Sequence, residues 1–301
     1  MCYMPKLYIL IGLPASGKST YAKWLSEHNN AVIISSDDIR EKWYGSAEVQ
    51  GDNNKIFSYM QKLTVENLLE KRDVIYDATN VTLNSRSFLS HYKPLLDIRK
   101  NIFVEGVIFA TPFTECCERN LKRDRVVPIS TMDKMYRKFT PPLFNEGFDT
   151  FRIIKSPNQP VYNISEIVKS LKNFNQENPY HLETLGEHLE WCYEALKDTE
   201  MEDYAIMGLY HDIGKPYCKV KDDKGIAHYY NHECVSSYDT LCNVIYSCHD
   251  TGRALYLANL VRWHMALYNQ DFSEKQQKLF GNDMIKHLRI FNQIDRIARK
   301  R

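Results

Sequence analysis

The sequence has no excess of either charge, no C-x-x-C pair and no long apolar run. Lys and Arg total 39 against 38 for Asp and Glu, which excludes a global basic field able to hold long stretches of nucleic acid. Eight cysteines without a C-x-x-C pair favour reduced thiols in a cytoplasmic protein. The apolar run from Leu7 to Leu13 is too short to cross a bilayer, so no membrane role is expected.

The hydrophobic periodicity and the histidine content of the chain change near its middle. Its 301 residues are enough for two ordinary domains, and 44% of them are hydrophobic. Residues 6–154 alternate short apolar runs with amphipathic segments, a pattern typical of a parallel sheet with crossover helices. After Pro179 helical periodicity dominates, and eight of the ten histidines lie in residues 181–301. We therefore predict an N-terminal α/β domain over 1–158, a linker over 159–176 and an all-α domain over 177–301. The predicted strands are 6–11, 32–35, 74–77, 102–108 and 151–154.

A glycine-rich motif follows the first predicted strand. Gly12-x-x-x-x-Gly17-Lys18-Ser19 opens a helix directly after an apolar run, which is the context of a P-loop. In such a loop the backbone amides hold phosphates, the Lys18 ammonium reaches the β and γ phosphates, and the Ser19 hydroxyl coordinates Mg²⁺. The sequence thus predicts a site for ATP or another nucleoside triphosphate. The expected contacts are Gly12, Ser16, Gly17, Lys18, Ser19 and Thr20.

The second predicted strand ends in the polar segment Ser35-Ser36-Asp37-Asp38-Ile39-Arg40. A carboxylate at the carboxyl end of a parallel strand faces the crevice in which ligands bind. Asp37 could take a proton from an attacking hydroxyl, and Arg40 could hold a phosphate of the acceptor. The alternative is that Asp37 or Asp38 only caps the next helix.

A basic run from Arg119 to Lys138 is the one segment suited to a local grip on a polynucleotide. The alternative is that it forms a solvated helix face.

Residues 7 to about 154 resemble the kinase domain of the phage-type polynucleotide 5′-kinases, which are related to the zeta-toxin-like P-loop kinases. The resemblance rests on GLPASGKST, SSDDIR, the segment VIYDATN at 74–80 and RNLKR at 119–123 followed by Val127-Pro128. It implies that Asp37 is the general base toward a 5′-hydroxyl and that Arg40 contacts the acceptor's phosphate. It also implies that Arg123, assisted by Arg119, clamps the transferring phosphoryl group. Ser36 departs from the basic residue of the best-known members, so acceptor preference stays open.

In the C-terminal half, polar residues interrupt apolar helix faces. Asp295 lies in a stripe at helical spacing, and His264 and His188 interrupt two similar stripes. The pair His211-Asp212 closes an apolar run just before Gly214. A buried carboxylate is costly unless it is paired or bound to metal, so these residues are expected to converge on an ion. The Asp295 stripe is Met284, Leu288, Phe291, Asp295 and Ala298.

Residues 175–301 resemble the HD phosphohydrolase superfamily, in particular the HD domains attached to tRNA nucleotidyltransferases and uridylyltransferases. The resemblance rests on NPYHLETLGEHL at 178–189, HDIGKP at 211–216, Asn231-His232-Glu233 and Val261-Arg262-Trp263-His264. It implies one metal site, a second site bridged by Asp212, and Lys215 as the group that neutralises phosphate charge. His181 is a reserve first ligand. The implied ligands are His188, His211, Asp212 and Asp295 for the first ion, and His232 and His264 with Asp212 for the second.

Imidazole and carboxylate ligands suit Mn, Fe, Co, Ni or Zn.

The two resemblances together predict an enzyme that repairs broken RNA or DNA ends. One domain would phosphorylate a 5′-hydroxyl, and the other would hydrolyse a 2′,3′-cyclic phosphate or a 3′-phosphate. A separate RNA ligase is then an expected functional partner, and tRNA is a reasonable first substrate to try. One rival is a nucleoside or sugar kinase fused to a nucleotidase. Another is an HD phosphohydrolase regulated by a nucleotide-sensing P-loop domain.

Overall fold

The computed structural model describes residues 3–157, 163–179, 182–248, 250–268 and 270–299. The chain divides into two compact units. The first unit comprises Met1–Met135 and Phe144–Pro157, and the second comprises Tyr136–Leu143 and Asn158–Arg301. His181, expected as a reserve ligand, lies outside the described residues.

The first unit is built on a five-stranded parallel sheet, as the alternating pattern predicted. The strand order is β2-β3-β1-β4-β5, so the P-loop strand lies in the centre. Apolar side chains of β1 are buried on both faces, which explains its continuous apolar run. Ser35 is paired in register with Asp77, so both residues end their strands at one edge of the sheet. The strands are β1 (Lys6–Ile11), β2 (Val32–Ser35), β3 (Val74–Asp77), β4 (Phe103–Ala110) and β5 (Thr150–Lys155).

Helices flank this sheet, and α1 contributes Ala22 and Leu25 to a core cluster with Tyr8 and Leu10. The helices are α1 (Lys18–Asn29), α2 (Ser36–Tyr44), α3 (Asn53–Leu69), α4 (Leu83–Arg86), α5 (Phe88–His91), α6 (Lys93–Ile98), α7 (Phe113–Leu121) and α8 (Ile129–Tyr136).

A buried ion pair joins two connecting segments of the first unit. Arg86 is fully buried and donates to Glu146 at 2.7 and 2.9 Å, and also to the Asn80 carbonyl at 2.8 Å. Asn80 in turn donates its side-chain amide to the Leu10 carbonyl at 2.8 Å. The chain of contacts therefore ties the loop after β3 to the end of β1, just before the P-loop.

Among its described residues the second unit is helical apart from short β-structure that was not predicted from the sequence. Two strands of two residues, β6 (Val220–Lys221) and β7 (Ala227–His228), form an antiparallel hairpin. They are too short to carry a readable alternation, and Asp222 and Gly225 close the turn between them. The helices are α9 (Ile164–Ser170), α10 (Leu185–Lys197), α11 (Met207–Tyr210), α12 (Lys215–Cys218), α13 (His232–Cys248), α14 (Thr251–Trp263) and α15 (Glu274–Ala298).

The described part of the segment expected as a linker, residues 163–176, contains helix α9 and belongs to the second unit. Val168 is 2% exposed and lies in a core cluster with Leu185 and Leu189. Ile164, Leu171 and Phe174 of the same segment also pack against this cluster, so the polar residues and prolines around the segment concealed an apolar contact surface. Among the described residues, no helix is long and apolar enough to span a lipid bilayer.

Candidate functional site

The loop between β1 and α1 has the backbone of a phosphate cradle. Gly17 is left-handed with φ 104°, and Ala15 is left-handed with φ 61°. A Cβ added at Gly12 would lie 2.7 Å from Ser16 Oγ and 3.0 Å from Phe109 Cβ, so only glycine fits without displacing a neighbour. Of the six expected nucleotide contacts, the loop brings together Gly12, Ser16, Gly17 and Lys18, while Ser19 and Thr20 lie exposed on the first turn of α1.

Lys18 is folded back over this loop. Its Nζ donates to the carbonyls of Gly12 at 3.0 Å and Leu13 at 2.7 Å. Burial lowers the pKa of the ammonium to about 8, against the opposing attraction of the Asp77 carboxylate. A buried ammonium that donates to two carbonyl oxygens is suited to take up the charge of a phosphate.

Ser19 and Asp77 form the pair of oxygens that a Mg²⁺ ion would need beside the loop. Ser19 Oγ donates to Asp77 Oδ2 at 3.1 Å. Burial raises the pKa of Asp77, and Lys18 and Ser19 oppose that rise. Oxygen donors of this kind fit the preference of Mg²⁺. Asp77 belongs to the segment 74–80, which carried the resemblance without an assigned role, and its position at the end of the strand paired with β2 is what brings it to Ser19.

Asp37 is held by two arginines and does not cap helix α2. Ser35 is the cap, accepting from the backbone N–H groups of Asp37 and Asp38. Asp37 Oδ1 pairs with Arg40 Nη1 at 3.2 Å, and Oδ2 pairs with Arg125 Nη1 at 2.8 Å. The side chain of Arg40 is only 8% exposed, whereas that of Asp37 is 48% exposed. A carboxylate is thus presented to solvent with cations on either side, and the capping alternative is wrong.

Comparisons with known proteins bear on this loop and sheet. Residues 7–142 match the family model described as AAA domain. The first unit is a P-loop kinase domain. A P-loop kinase uses a nucleoside triphosphate, ATP, together with Mg²⁺.

A relative of known activity covers more of the chain. The chain is 29% identical over 189 residues to the L-seryl-tRNA(Sec) kinase of Methanococcus maripaludis, across 59% of this chain and 69% of that protein.

Two solved structures are similar to part of the chain. One is the Pnkp1/Rnl/Hen1 RNA repair complex, with 26% identity, a TM-score of 0.38 and coverage of 45% of this chain. The other is a fungal RNA kinase, with 16% identity, a TM-score of 0.39 and coverage of 56%. This chain spans 44% of the length of each of those two chains.

Two arginines of the kinase domain lie at the end of helix α7 and just after it. Arg119 pairs with Glu115 at 2.5 Å, donates to Ser156 Oγ at 3.1 Å, and lies about 4 Å from where a Cβ on Gly17 would be. Arg123 is exposed, and its charge helps to lower the pKa of Lys18. Both arginines expected to contact the transferring phosphoryl group therefore lie near the P-loop. Arg119 is already bound to Glu115 and Ser156.

The second unit gathers all six residues expected to bind metal. Five of them are at most 1% exposed, and His232 is 6% exposed. The five are His188, His211, Asp212, His264 and Asp295.

Asp212 lies between two pairs of histidines. Its Oδ2 is 3.3 Å from His211 Nε2 and 3.7 Å from His188 Nε2. Its Oδ1 is 2.9 Å from His232 Nε2 and 3.5 Å from His264 Nε2. One carboxylate thus faces two candidate ion positions, one for each oxygen.

Asp295 completes the cluster on the side of His188. Asp295 Oδ1 lies 3.1 Å from His188 Nε2, and Oδ2 is held by the Tyr268 hydroxyl and by Arg299 at 3.2 Å. The stripe of α15 that carries Asp295 is buried as the spacing predicted. Two partners on Oδ2 leave Oδ1 directed at the histidines.

The protonation of the histidine rings can be read from their backbone contacts. The Nδ1 atoms of His211, His232 and His264 lie 2.7 to 2.9 Å from the backbone carbonyls of Gly208, Tyr229 and Val261. A carbonyl oxygen only accepts, so each Nδ1 carries the hydrogen. In the neutral imidazole each Nε2 then offers a lone pair to the centre of the cluster. A backbone carbonyl that accepts from the far ring nitrogen in this way is typical of histidine metal ligands.

Lone pairs that face buried carboxylate oxygens need a cation between them. Burial alone would raise the pKa values of Asp212 and Asp295, but neighbouring positive charge, Lys215 beside Asp212 and Arg299 beside Asp295, holds both well below the ordinary range. Both are therefore carboxylates near neutral pH. Asp212 Oδ1 and Asp295 Oδ1 are buried and accept no hydrogen bond from the described residues. The donor set fits one or two divalent metal ions.

Lys215 lies inside the cluster rather than at its mouth. Its Nζ is 2.6 Å from Asp212 Oδ2 and donates to Gln176 Oε1 at 2.8 Å, and the residue is 3% exposed. Lys215 therefore supports a ligand directly. Its expected contact with a substrate phosphate stays a prediction.

Several supporting residues were missed from the sequence. Glu183 Oε1 lies 3.2 Å from His188 Nδ1 and orients that ring as the backbone carbonyls orient the others. Tyr268 and Arg299, which hold Asp295 Oδ2, were also not identified as site residues from the sequence. No local motif marks them, because each contact joins segments that are distant in sequence.

Proposed function

We propose that the chain phosphorylates a 5′-hydroxyl on RNA or DNA with its kinase domain and removes a terminal phosphate with its second unit. The observation that carries the first half is Asp37, a carboxylate at the end of β2 between Arg40 and Arg125. A protein that only senses nucleotide has no use for a base at this position. A kinase needs one to accept the proton of the attacking hydroxyl.

The proposed transfer proceeds in line. The acceptor oxygen forms a bond to the γ-phosphorus as the bond from that phosphorus to the β-γ bridging oxygen breaks. Asp37 accepts the hydroxyl proton, and Lys18 with Arg123 and Arg119 offsets the charge of the transferring group. Ser19 and Asp77 would hold Mg²⁺. Arg40, released from Asp37 by the acceptor, would contact the acceptor's phosphate.

A second acceptor deserves a test because of one relative. The archaeal protein of 29% identity is named as a kinase of seryl-tRNA. Its name supports an acceptor hydroxyl attached to RNA, at an end other than the 5′-terminus. A hydroxyl on an aminoacyl group of tRNA is therefore the alternative acceptor.

For the second unit we propose metal-dependent hydrolysis of a 2′,3′-cyclic phosphate or a 3′-phosphate. The supporting observation is the convergence of four imidazole Nε2 atoms on Asp212 and Asp295. Mn, Fe, Co, Ni or Zn held there would supply Lewis acidity toward the phosphate and make water a stronger nucleophile near neutral pH. The chain's own residues hold the ions, and Lys215 holds Asp212 Oδ2 in place.

The two reactions prepare opposite ends of one break. One water opens the 2′,3′-cyclic phosphate to a 2′- or 3′-phosphate, and a second hydrolysis releases inorganic phosphate and leaves a 3′-hydroxyl. A cleaved strand that began with a 5′-hydroxyl and a cyclic phosphate would then carry a 5′-phosphate and a free 3′-hydroxyl. These are the ends that an RNA ligase joins, so a ligase is the proposed functional partner. The rival with a mononucleoside or sugar acceptor predicts turnover of small molecules and none of oligonucleotides.

The test supplies the protein with ATP, Mg²⁺, a transition metal and RNA oligonucleotides, and follows both ends. We expect Lys18→Ala to abolish only 5′-phosphorylation and His211→Ala to abolish only 3′-end hydrolysis. Seryl-tRNA and mononucleosides serve as competing acceptors. Turnover of mononucleosides with untouched oligonucleotides would refute the repair function and support the metabolic rival.

A further inference from the structure

A cysteine lies among the proposed ligands of the second unit. Cys192 follows His188 by four residues on α10, so both side chains project from one face of the helix, one turn apart. Both residues are fully buried. Cys192 Sγ lies 3.9 Å from His188 Nε2. One donor atom from each of His188, Cys192, His211 and Asp295 lies within 4.8 Å of the other three.

These separations match four ligands around one small ion. Bonds of about 2.0 to 2.1 Å to nitrogen or oxygen and about 2.3 Å to sulfur put tetrahedral donors roughly 3.3 to 3.7 Å apart. His188 Nε2 is 3.1 Å from both His211 Nε2 and Asp295 Oδ1, and 3.9 Å from the sulfur. His211 Nε2 lies 3.9 Å from Asp295 Oδ1, so the four donors would have to move closer together to bind one ion.

The carboxylate of Asp212 lies beside this group and is shared with other partners. Asp212 Oδ2 pairs with Lys215 Nζ at 2.6 Å, and Oδ1 faces His232 at 2.9 Å. Asp295 Oδ1 is buried and lies within 4.8 Å of the thiol sulfur. Cys192 is therefore the donor that completes a group of four with His188, His211 and Asp295.

We propose that the Cys192 thiolate is the fourth ligand of the ion held by His188, His211 and Asp295. The proposal rests on the proposed metal site of the hydrolase and extends it by one ligand. On binding, the thiol proton leaves to solvent and sulfur donates to the ion. A thiolate makes this position favour Zn²⁺ or Co²⁺ over Mn²⁺ or Mg²⁺, whereas the position of His232 and His264 has only nitrogen and oxygen donors.

The test is a titration of the full chain, stripped of metal, with Co²⁺. We expect visible d–d bands together with a thiolate-to-cobalt charge-transfer band in the near ultraviolet. Cys192→Ser should lose the charge-transfer band and keep the d–d bands. The matched control is Cys242→Ser, a buried cysteine on α13 outside the cluster, which should keep both.

Zinc affinity gives a second readout. Cys192→Ser should bind Zn²⁺ roughly tenfold or more weakly, with a smaller change for Mn²⁺. X-ray absorption of the zinc-loaded wild type should detect sulfur at about 2.3 Å, which decides the matter even if the variant does not fold.

The failures are distinguishable. Cobalt bands without charge transfer, or zinc with only nitrogen and oxygen neighbours, would overturn the assignment of Cys192 and leave the metal site standing. No uptake of cobalt or zinc at all would overturn both this ligand and the proposed hydrolase.

Discussion

Replacing Asp37 by Asn tests the kinase proposal most directly, because the structure separates the chemical role of this carboxylate from any structural one. Ser35, and not Asp37, caps helix α2. Asp37→Asn keeps the shape of the side chain and removes its ability to accept a proton. The side chain is 48% exposed, so its ion pairs with Arg40 and Arg125 contribute about 1 kcal/mol or less each to stability.

The expected magnitude follows from these roles. A positioned general base contributes about 10² to 10⁴ in rate, or roughly 3 to 5 kcal/mol of barrier. We expect kcat for 5′-phosphorylation to fall by that factor while KM for ATP stays within about twofold, because the P-loop contacts are unchanged. The free energy of unfolding should change by about 1 kcal/mol or less.

The assay is transfer of labelled γ-phosphate from ATP to a 5′-hydroxyl RNA oligonucleotide, with urea unfolding measured on the same samples. Asp38→Asn is the matched control, since Asp38 is the adjacent exposed carboxylate on the first turn of the same helix. We expect Asp38→Asn to retain activity within a fewfold of wild type. If Asp37→Asn keeps more than a tenth of wild-type kcat, Asp37 is not the base and the reasoning fails.

Two predictions concern stability. Arg86→Leu removes a fully buried partner of Glu146 and should cost about 3 to 5 kcal/mol in urea unfolding, whereas Arg72→Leu on an exposed pair should cost less than about 1 kcal/mol. Burial raises the pKa of Asp239, which accepts from the Tyr136 hydroxyl, to about 7. Because the folded pKa lies above the unfolded one, this stabilisation is complete below about pH 4 and is lost as pH rises through 7. Asp239→Asn should therefore flatten the fall of the melting temperature between pH 5 and pH 8.

Equal losses for Arg86→Leu and Arg72→Leu would show that the buried pair has no special weight. An unchanged pH slope in Asp239→Asn would show that another group governs the titration.

The P-loop and the sheet were predictable because their signals are local. Gly12, Gly17 and Lys18 stand at fixed spacing directly after β1, and the apolar runs mark all five strands of the first unit. The convergence of buried histidines and aspartates in the second unit was predictable for another reason. Histidine and aspartate on apolar helix faces are costly to bury, so His188 and Asp295 stood out in their stripes.

Contacts between distant segments were not predictable. Arg125 reaches Asp37 across 88 positions of the chain, and Tyr268 reaches Asp295 across 27. The placement of residues 136–143 in the second unit has the same cause. A single sequence contains no signal for such pairings, because they depend on how whole elements pack.

Each of three cluster histidines donates Nδ1–H to the carbonyl three residues before it, within its own turn of the backbone. The orientation of the rings is thus fixed by local folding and needs no ion. The conformational entropy of these rings is lost when the chain folds, so metal binding does not have to order them again. The entropic cost of binding an ion is therefore small. Unlike a zinc finger, which folds only around its ion, this unit should hold an open set of lone pairs ready before any metal arrives.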